Sequence, residues 1–246
     1  MPLQVIEPRR IKLVGELEVK RILPFRERRM IGPFIFLDEM DTPLVGDDPE
    51  AGDVLPHPHI GLSTLTYLFQ GELMHRDSIG TVQRVIPGEV NWMTSGSGIV
   101  HSERVPPEVR LNAERFHGMQ AWVALPVSDE DCEPSFQHYA EIPRFEHHGV
   151  KIELVCGAAF GHRSPVKTSS PLFYFVAEMP AGTSLAFDPG HQETGIYLIS
   201  GAVRTGGQEF ASPVLLAFDE GEKTEITAIA DTKCLFLGGE RMLEKR

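Results

Sequence analysis

The sequence predicts an all-β chain folded as two similar barrels in tandem. Three observations carry this. Short apolar segments rich in Val, Ile, Thr, Tyr and Phe follow one another closely, punctuated by 23 Gly and 19 Pro, the pattern of an all-β sandwich or barrel. Helical periodicity is scarce. Two distant segments also match. TYLFQGEL at Thr66 to Leu73 parallels IYLISGAV at Ile196 to Val203, with Gly71 on Gly201 and Tyr67 on Tyr197. One fold used twice accounts for strand number and the 246-residue length together.

In chain order, residues 1–125 are expected to form the first barrel. RRMIGPFIFLDEM (Arg28 to Met40) reads as a buried strand and turn, its acids Asp38 and Glu39 serving local backbone donors. PHPHIGLSTLTYLFQGEL (Pro56 to Leu73) follows. Side chains alternate faces along a strand, so His57 and His59 share one. MHRDSIGTVQRV (Met74 to Val85) reads as a hairpin turning near Asp77 to Gly80. In IPGEVNWMTSGSGIVHSERV (Ile86 to Val105), the GSG at Gly96 to Gly98 turns the chain into a strand. That strand carries a second i, i+2 pair, His101 and Glu103. The acidic, Pro-bounded stretch 126–143 is expected to be a linker. Residues 144–246 are expected to form the second barrel. EHHGVKIELV (Glu146 to Val155) is a turn leading into a strand, and AVRTGGQEF (Ala202 to Phe210) is a hairpin closed by Gly206-Gly207.

Composition narrows the function. Hydrophobic residues make up 41% and charged residues 24%, which suits a packed core rather than disorder. The formal net charge is −12, a surface that repels phosphate backbones and anionic membranes. No direct nucleic-acid or membrane partner is expected; a protein partner stays open. Cys132, Cys156 and Cys234 are widely spaced with no CxxC pair, against a disulfide framework or a thiolate metal site. The N-terminal MPLQVIEPRRIKL lacks the apolar core of a signal peptide, so a cytoplasmic location is expected.

Two strands, each offering two ligands to one interior, can meet around one ion. His57, His59, His101 and Glu103 supply three imidazoles, one carboxylate and no thiolate. That set suits Fe(II), and also Mn, Ni, Cu or Zn. Four protein ligands around an octahedral ion leave two positions open for substrate, as in a catalytic site. Elsewhere, His147-His148 reads as an exposed turn, and His191 and Glu193 as decoration of a loop. His75, His117, His138 and His162 have no partner at ligand spacing.

RRMIGPFIFLDEM, PHPHIGLSTLTYLFQGEL, VIPGEVNWMTSGSGIVHSE and MQAWVALP (Met119 to Pro126) together resemble the pirin family of the cupin superfamily. The resemblance is dense in the first half of the chain and thin in the second. It implies a bicupin: two tandem cupin (double-stranded β-helix, jelly-roll) barrels, the N-terminal one holding a metal, usually iron. By resemblance, His57 and His59 match the first ligand pair and His101 and Glu103 the second. Many cupins carry a glutamate four or five residues after the HxH pair; here Ser63 and Thr64 stand there, and Glu103 supplies the acid from the other strand. The repeat alignment puts Phe187 on His57 and Pro189 on His59, so the second barrel is expected to lack such a site. The activity found among pirins is quercetin 2,3-dioxygenase-type, the ring opening of a flavonol by O2 with release of CO. Glu103 is the expected proton acceptor. The rival expectation, also from the family, is a metal- or redox-responsive regulatory protein with no dedicated substrate.

Overall fold

A computed structural model describes residues 2, 4–13, 18–43, 52–112, 115–188, 190–218 and 224–242. The chain opens with β1 (Gln4–Ile6), β2 (Arg9–Lys12), β3 (Glu18–Leu23) and β4 (Phe34–Pro43). β5 (Val54–His59), β6 (Leu62–Gln70), β7 (Leu73–Asp77), β8 (Val82–Val85), β9 (Val90–Thr94) and β10 (Ile99–Arg104) follow. A short helix, α1 (Pro107–Asn112), precedes β11 (Arg115–Ala124) and β12 (Ser135–Tyr139). The later strands are β13 (Arg144–His147), β14 (Val150–Cys156), β15 (Ala158–Ala159), β16 (His162–Arg163), β17 (Leu172–Met179) and β18 (Ser184–Phe187). Then come β19 (Glu193–Ser200), β20 (Ala202–Thr205), β21 (Gln208–Ala211), β22 (Val214–Phe218), β23 (Thr224–Ala228) and β24 (Thr232–Gly239).

These strands form two compact units. One comprises Arg9–Pro24 and Ile35–Glu141; the other comprises Met1–Pro8, Phe25–Phe34 and Ile142–Arg246. The first contains a seven-stranded sheet, β12-β9-β6-β11-β4-β3-β2, and a four-stranded sheet, β5-β10-β7-β8. The second contains β1-β22-β19-β24-β17-β14-β13 and β18-β23-β20-β21, with β15 and β16 as a separate hairpin. The two orders are equivalent strand for strand. The faint TYLFQGEL/IYLISGAV match is therefore the trace of a complete structural repeat. Gly71 and Gly201 take φ of +81° and +83°, a turn conformation that disfavours a side chain.

Two segments hold edge positions. Within 126–143, β12 pairs with β9, Phe136 opposite Met93 and His138 opposite Asn91. β1 takes the equivalent place beside β22 in the other unit, with Val5 opposite Leu216. Edge strands bond on one side only, so the alternation in SFQHY is too short to stand out from its acidic surroundings. The expected hairpins form. Thr205 pairs with Gln208 across Gly206-Gly207, whose φ values of +55° and +79° suit a primed two-residue turn.

The interiors differ chemically. The second unit is packed with apolar side chains, among them Phe173, Phe175, Phe187 and Phe236, all buried. Phe187 meets Phe173 and Phe175 with ring centroids 5.0 Å from each. The first unit gathers Val19, Met40, Leu68, Leu73, Val85, Val105 and Phe116 into a smaller apolar cluster. It also buries His59, Thr64, Thr66, His75, Asn91, His101 and Glu103. Buried polar groups are costly unless partnered, so this unit's interior is the place to look for chemistry.

Candidate metal centre

β5, β10 and β7 lie side by side in the first unit. His57 stands opposite His101, which on its other side stands opposite Asp77; Glu103 stands opposite His75. Paired residues in neighbouring strands share a face, as do residues i and i+2. The β5–β10 register shifts between His101 and Glu103, an irregularity of the kind that re-aims side chains beside sites.

Ligand nitrogens of His57, His59 and His101 lie within 4.8 Å of one another. Their ring centroids are 4.5–5.0 Å apart. His59 and His101 are 6% and 2% exposed, and the Nε2 atom of each is buried without a hydrogen-bond partner. An unpaired buried polar atom costs about 1–3 kcal/mol, a cost that a coordinated cation removes. His57 Nδ1 lies 2.7 Å from the Leu55 carbonyl oxygen. A carbonyl only accepts, so Nδ1 carries the proton and Nε2 keeps its lone pair. Burial first, then the neighbouring rings, pushes His59 and His101 down to about 3. Both are thus neutral near pH 7, the form that ligates. The donor set fits a borderline divalent ion.

Glu103 sits beside this triad rather than within it. Its carboxylate groups with His75 and His101, again within 4.8 Å. Its Oε1 accepts the Thr66 hydroxyl at 2.8 Å, and the same hydroxyl lies 2.9 Å from Gln120 Oε1. The structure therefore brings His57, His59 and His101 together and places Glu103 next to them through His101.

Aromatic side chains border the cluster. Trp122 meets the His59 ring edge-on at 4.9 Å and stacks on Phe36 at 4.0 Å. Phe136 of β12 lies 4.4 Å from the His75 ring. His138 Nδ1 donates to Asn91 Oδ1 at 2.8 Å.

Several sequence expectations change. His75, expected to have no partner at ligand spacing, is almost fully buried and donates from Nε2 to Asp77 Oδ2 at 3.0 Å. The signal was the HxD spacing in HRD, the same i, i+2 pattern as the other pairs. Burial works to raise the Asp77 carboxyl, but hydrogen bonds from His75 and Thr81 outweigh it and hold it below its ordinary range. Asp38 and Glu39 also engage in side-chain ion pairs that the sequence did not show. Asp38 takes Arg21 in a two-point contact at 2.9 and 2.8 Å, and Glu39 takes Lys20 and His117. Cross-strand pairing of β3 with β4 puts Arg21 opposite Asp38 and Lys20 opposite Glu39. Glu193 is not on a loop. It opens β19, is buried, and accepts the Gly32 amide at 2.7 Å and Arg241 at 3.1 Å.

The repeat gives a direct comparison. β18 and β23 correspond to β5 and β10, and Phe187 pairs with Thr224 as His57 pairs with His101. That register puts Ile226 at the Glu103 position. Pro189, aligned on His59, lies outside the described residues.

Among the described residues, no helix is long and apolar enough to cross a membrane. The Pirin family model matches residues 16–123. A pirin-like protein of Caulobacter vibrioides is 46% identical over 240 residues, covering 96% of this chain and 83% of that protein. A Pseudomonas aeruginosa protein provisionally named a quercetin 2,3-dioxygenase is 39% identical, covering 96% of this chain and 74% of its own length. The crystal structure of a quercetin 2,3-dioxygenase from Acinetobacter baumannii superposes with a TM-score of 0.86 at 31% identity, covering 98% of this chain and 79% of that one. The two β units are cupin barrels in tandem, and the chain belongs to the pirin family.

Proposed function

We propose that this chain is a metal-dependent dioxygenase of the quercetin 2,3-dioxygenase type, with a flavonol and O2 as substrates. His57, His59 and His101, with Glu103 beside them, would hold one divalent ion, Fe(II) before Mn, Ni, Cu or Zn. The observation that carries this reading is the convergence of three imidazoles, two of them buried and neutral with orphaned Nε2 atoms. Similarity to the Acinetobacter enzyme supports the reaction class.

When bound, such an ion supplies Lewis acidity to a ligating hydroxyl and a redox partner for O2. The chain's own residues do the rest. Thr66 holds Glu103 Oε1, which leaves Oε2 to take the proton of the flavonol 3-hydroxyl. Trp122, Phe36 and Phe136 present apolar ring surfaces that favour an aromatic ligand over water. Both oxygen atoms of O2 enter the opened product and one ring carbon leaves as CO, so no outside reductant is needed.

The test is turnover by iron-loaded protein given quercetin and O2, read by CO release and loss of flavonol absorbance. Glu103→Gln should keep the fold and lose turnover. A fully iron-loaded protein that releases no CO would exclude the enzymatic reading in favour of the regulatory one.

A further inference from the structure

Two imidazoles and a carboxylate are linked in a line behind the Nε2 edge of His101. Asp77 Oδ2 lies 3.0 Å from His75 Nε2, and His75 Nδ1 lies 3.3 Å from His101 Nδ1. His75 and Asp77 side chains are 2% and 0% exposed, so no solvent competes for these contacts. The partners dictate where the protons sit. A carboxylate only accepts, so His75 Nε2 carries the proton. With its proton on Nε2, His75 presents Nδ1 to His101 Nδ1–H at 3.3 Å as an acceptor. His101 is left with its lone pair on Nε2, the buried atom that has no partner.

We propose that His75 and Asp77 are a positioning pair that sets the His101 tautomer and ring orientation, so that Nε2 faces His57 and His59 ready to ligate. This rests on the metal-site reading above and assigns its supporting layer. Such outer partners fix ligand rings and raise their basicity, and losing one typically costs about 10–100-fold in metal affinity. His57 has its own device, the Leu55 carbonyl, so each of these two strands orients a histidine by a different route.

The arrangement allows a sharp substitution. Asp77 Oδ1 accepts the Ile79 and Thr81 amides at 3.1 and 2.9 Å. In Asp77→Asn, the amide oxygen must stay on that turn, so the NH2 group faces His75 Nε2. His75 is then forced into the opposite tautomer and donates from Nδ1 to His101 Nδ1. His101 in turn carries its proton on Nε2 and cannot ligate there without rearranging. His75→Asn, by contrast, places an amide oxygen near the former Nδ1 and keeps the acceptor that His101 needs.

The experiment titrates Co(II) alone into the wild-type chain and both variants, in competition with a chromophoric chelator. It also records the Co(II) visible spectrum and the melting temperature of each metal-free protein. The expected result is a 10–100-fold loss of Co(II) affinity and an altered spectrum for Asp77→Asn. Its metal-free melting temperature should stay close to wild type, and His75→Asn should retain near-wild-type affinity. Unchanged affinity and spectrum in Asp77→Asn would overturn the positioning role while leaving the metal site standing. A larger loss in His75→Asn than in Asp77→Asn would also overturn it, since His75 would then be a ligand. Wild-type protein that binds no Co(II) would remove the metal-site reading itself, and this inference with it.

Discussion

Acidification should destabilise the metal-free protein well before its carboxylates titrate. In the fold, His59 and His101 are pushed down to about 3 from an ordinary value of 6.5. The unfolded chain therefore binds more protons than the fold between these values. The stability tied to the neutral rings is complete above about pH 6.5 and is lost as pH falls toward 3. Lowering the pH from 7 to 5 costs about 2 kcal/mol for each ring by proton linkage, or about 4 kcal/mol for the two. At roughly 2–4 °C per kcal/mol for a chain of this size, that is a fall in melting temperature of roughly 8–16 °C. The assay is scanning calorimetry of chelator-treated protein at pH 7, 6 and 5, beside the double variant His59→Gln, His101→Gln. Glutamine does not titrate, and every other group is common to both proteins. The difference in slope thus isolates the two rings. A wild-type melting temperature that holds steady from pH 7 to 5, or an identical slope in the double variant, would refute the claim that these rings are buried and neutral.

Other substitutions probe the surroundings. Thr66→Val removes the donor to Glu103 Oε1 and should cost about 1.5–3 kcal/mol, as for a hydrogen bond to a charged group; calorimetry reads it, and an unchanged melting temperature would count against that bond. Phe187→Ala opens the aromatic core of the second unit and should cost about 3–5 kcal/mol. Metal stoichiometry should stay as in wild type, since Phe187 belongs to a different unit from His57, His59 and His101. Trp122→Ala strips the wall beside His59 and should raise KM for quercetin several-fold at unchanged metal content. A KM unmoved by that change would exclude Trp122 from the binding surface.

Much of this was legible in the sequence because the signals are local. The i, i+2 spacing of His57 with His59 and of His101 with Glu103 needs only strand alternation to put each pair on one face. Gly71 aligned on Gly201 located the repeat, and the sheet orders extend that match to whole barrels. What escaped was pairing across strands. His75 had no visible partner because its second contact, His101, is 26 residues away and reaches it through β7–β10 register. The edge strand β12 hid inside an acidic, Pro-bounded stretch, and with it Phe136, whose ring packs on His75. Asp38 and Glu39 were assigned to backbone donors because Arg21, Lys20 and His117 reach them only through neighbouring strands. Glu103 is a finer case. Spacing alone gives it a face in common with His101, but the regular β10–β7 register sets it opposite His75, while the β5–β10 register shifts between His101 and Glu103.

The most direct measurement is metal stoichiometry by elemental analysis after Fe(II) loading, with X-ray absorption at the metal edge. One ion per chain with three imidazole nitrogens in its coordination sphere, and loss of the ion in His57→Ala, His59→Ala and His101→Ala alike, is the predicted result. Retention of a full equivalent in any of these three variants, or a coordination sphere without imidazole, would contradict it.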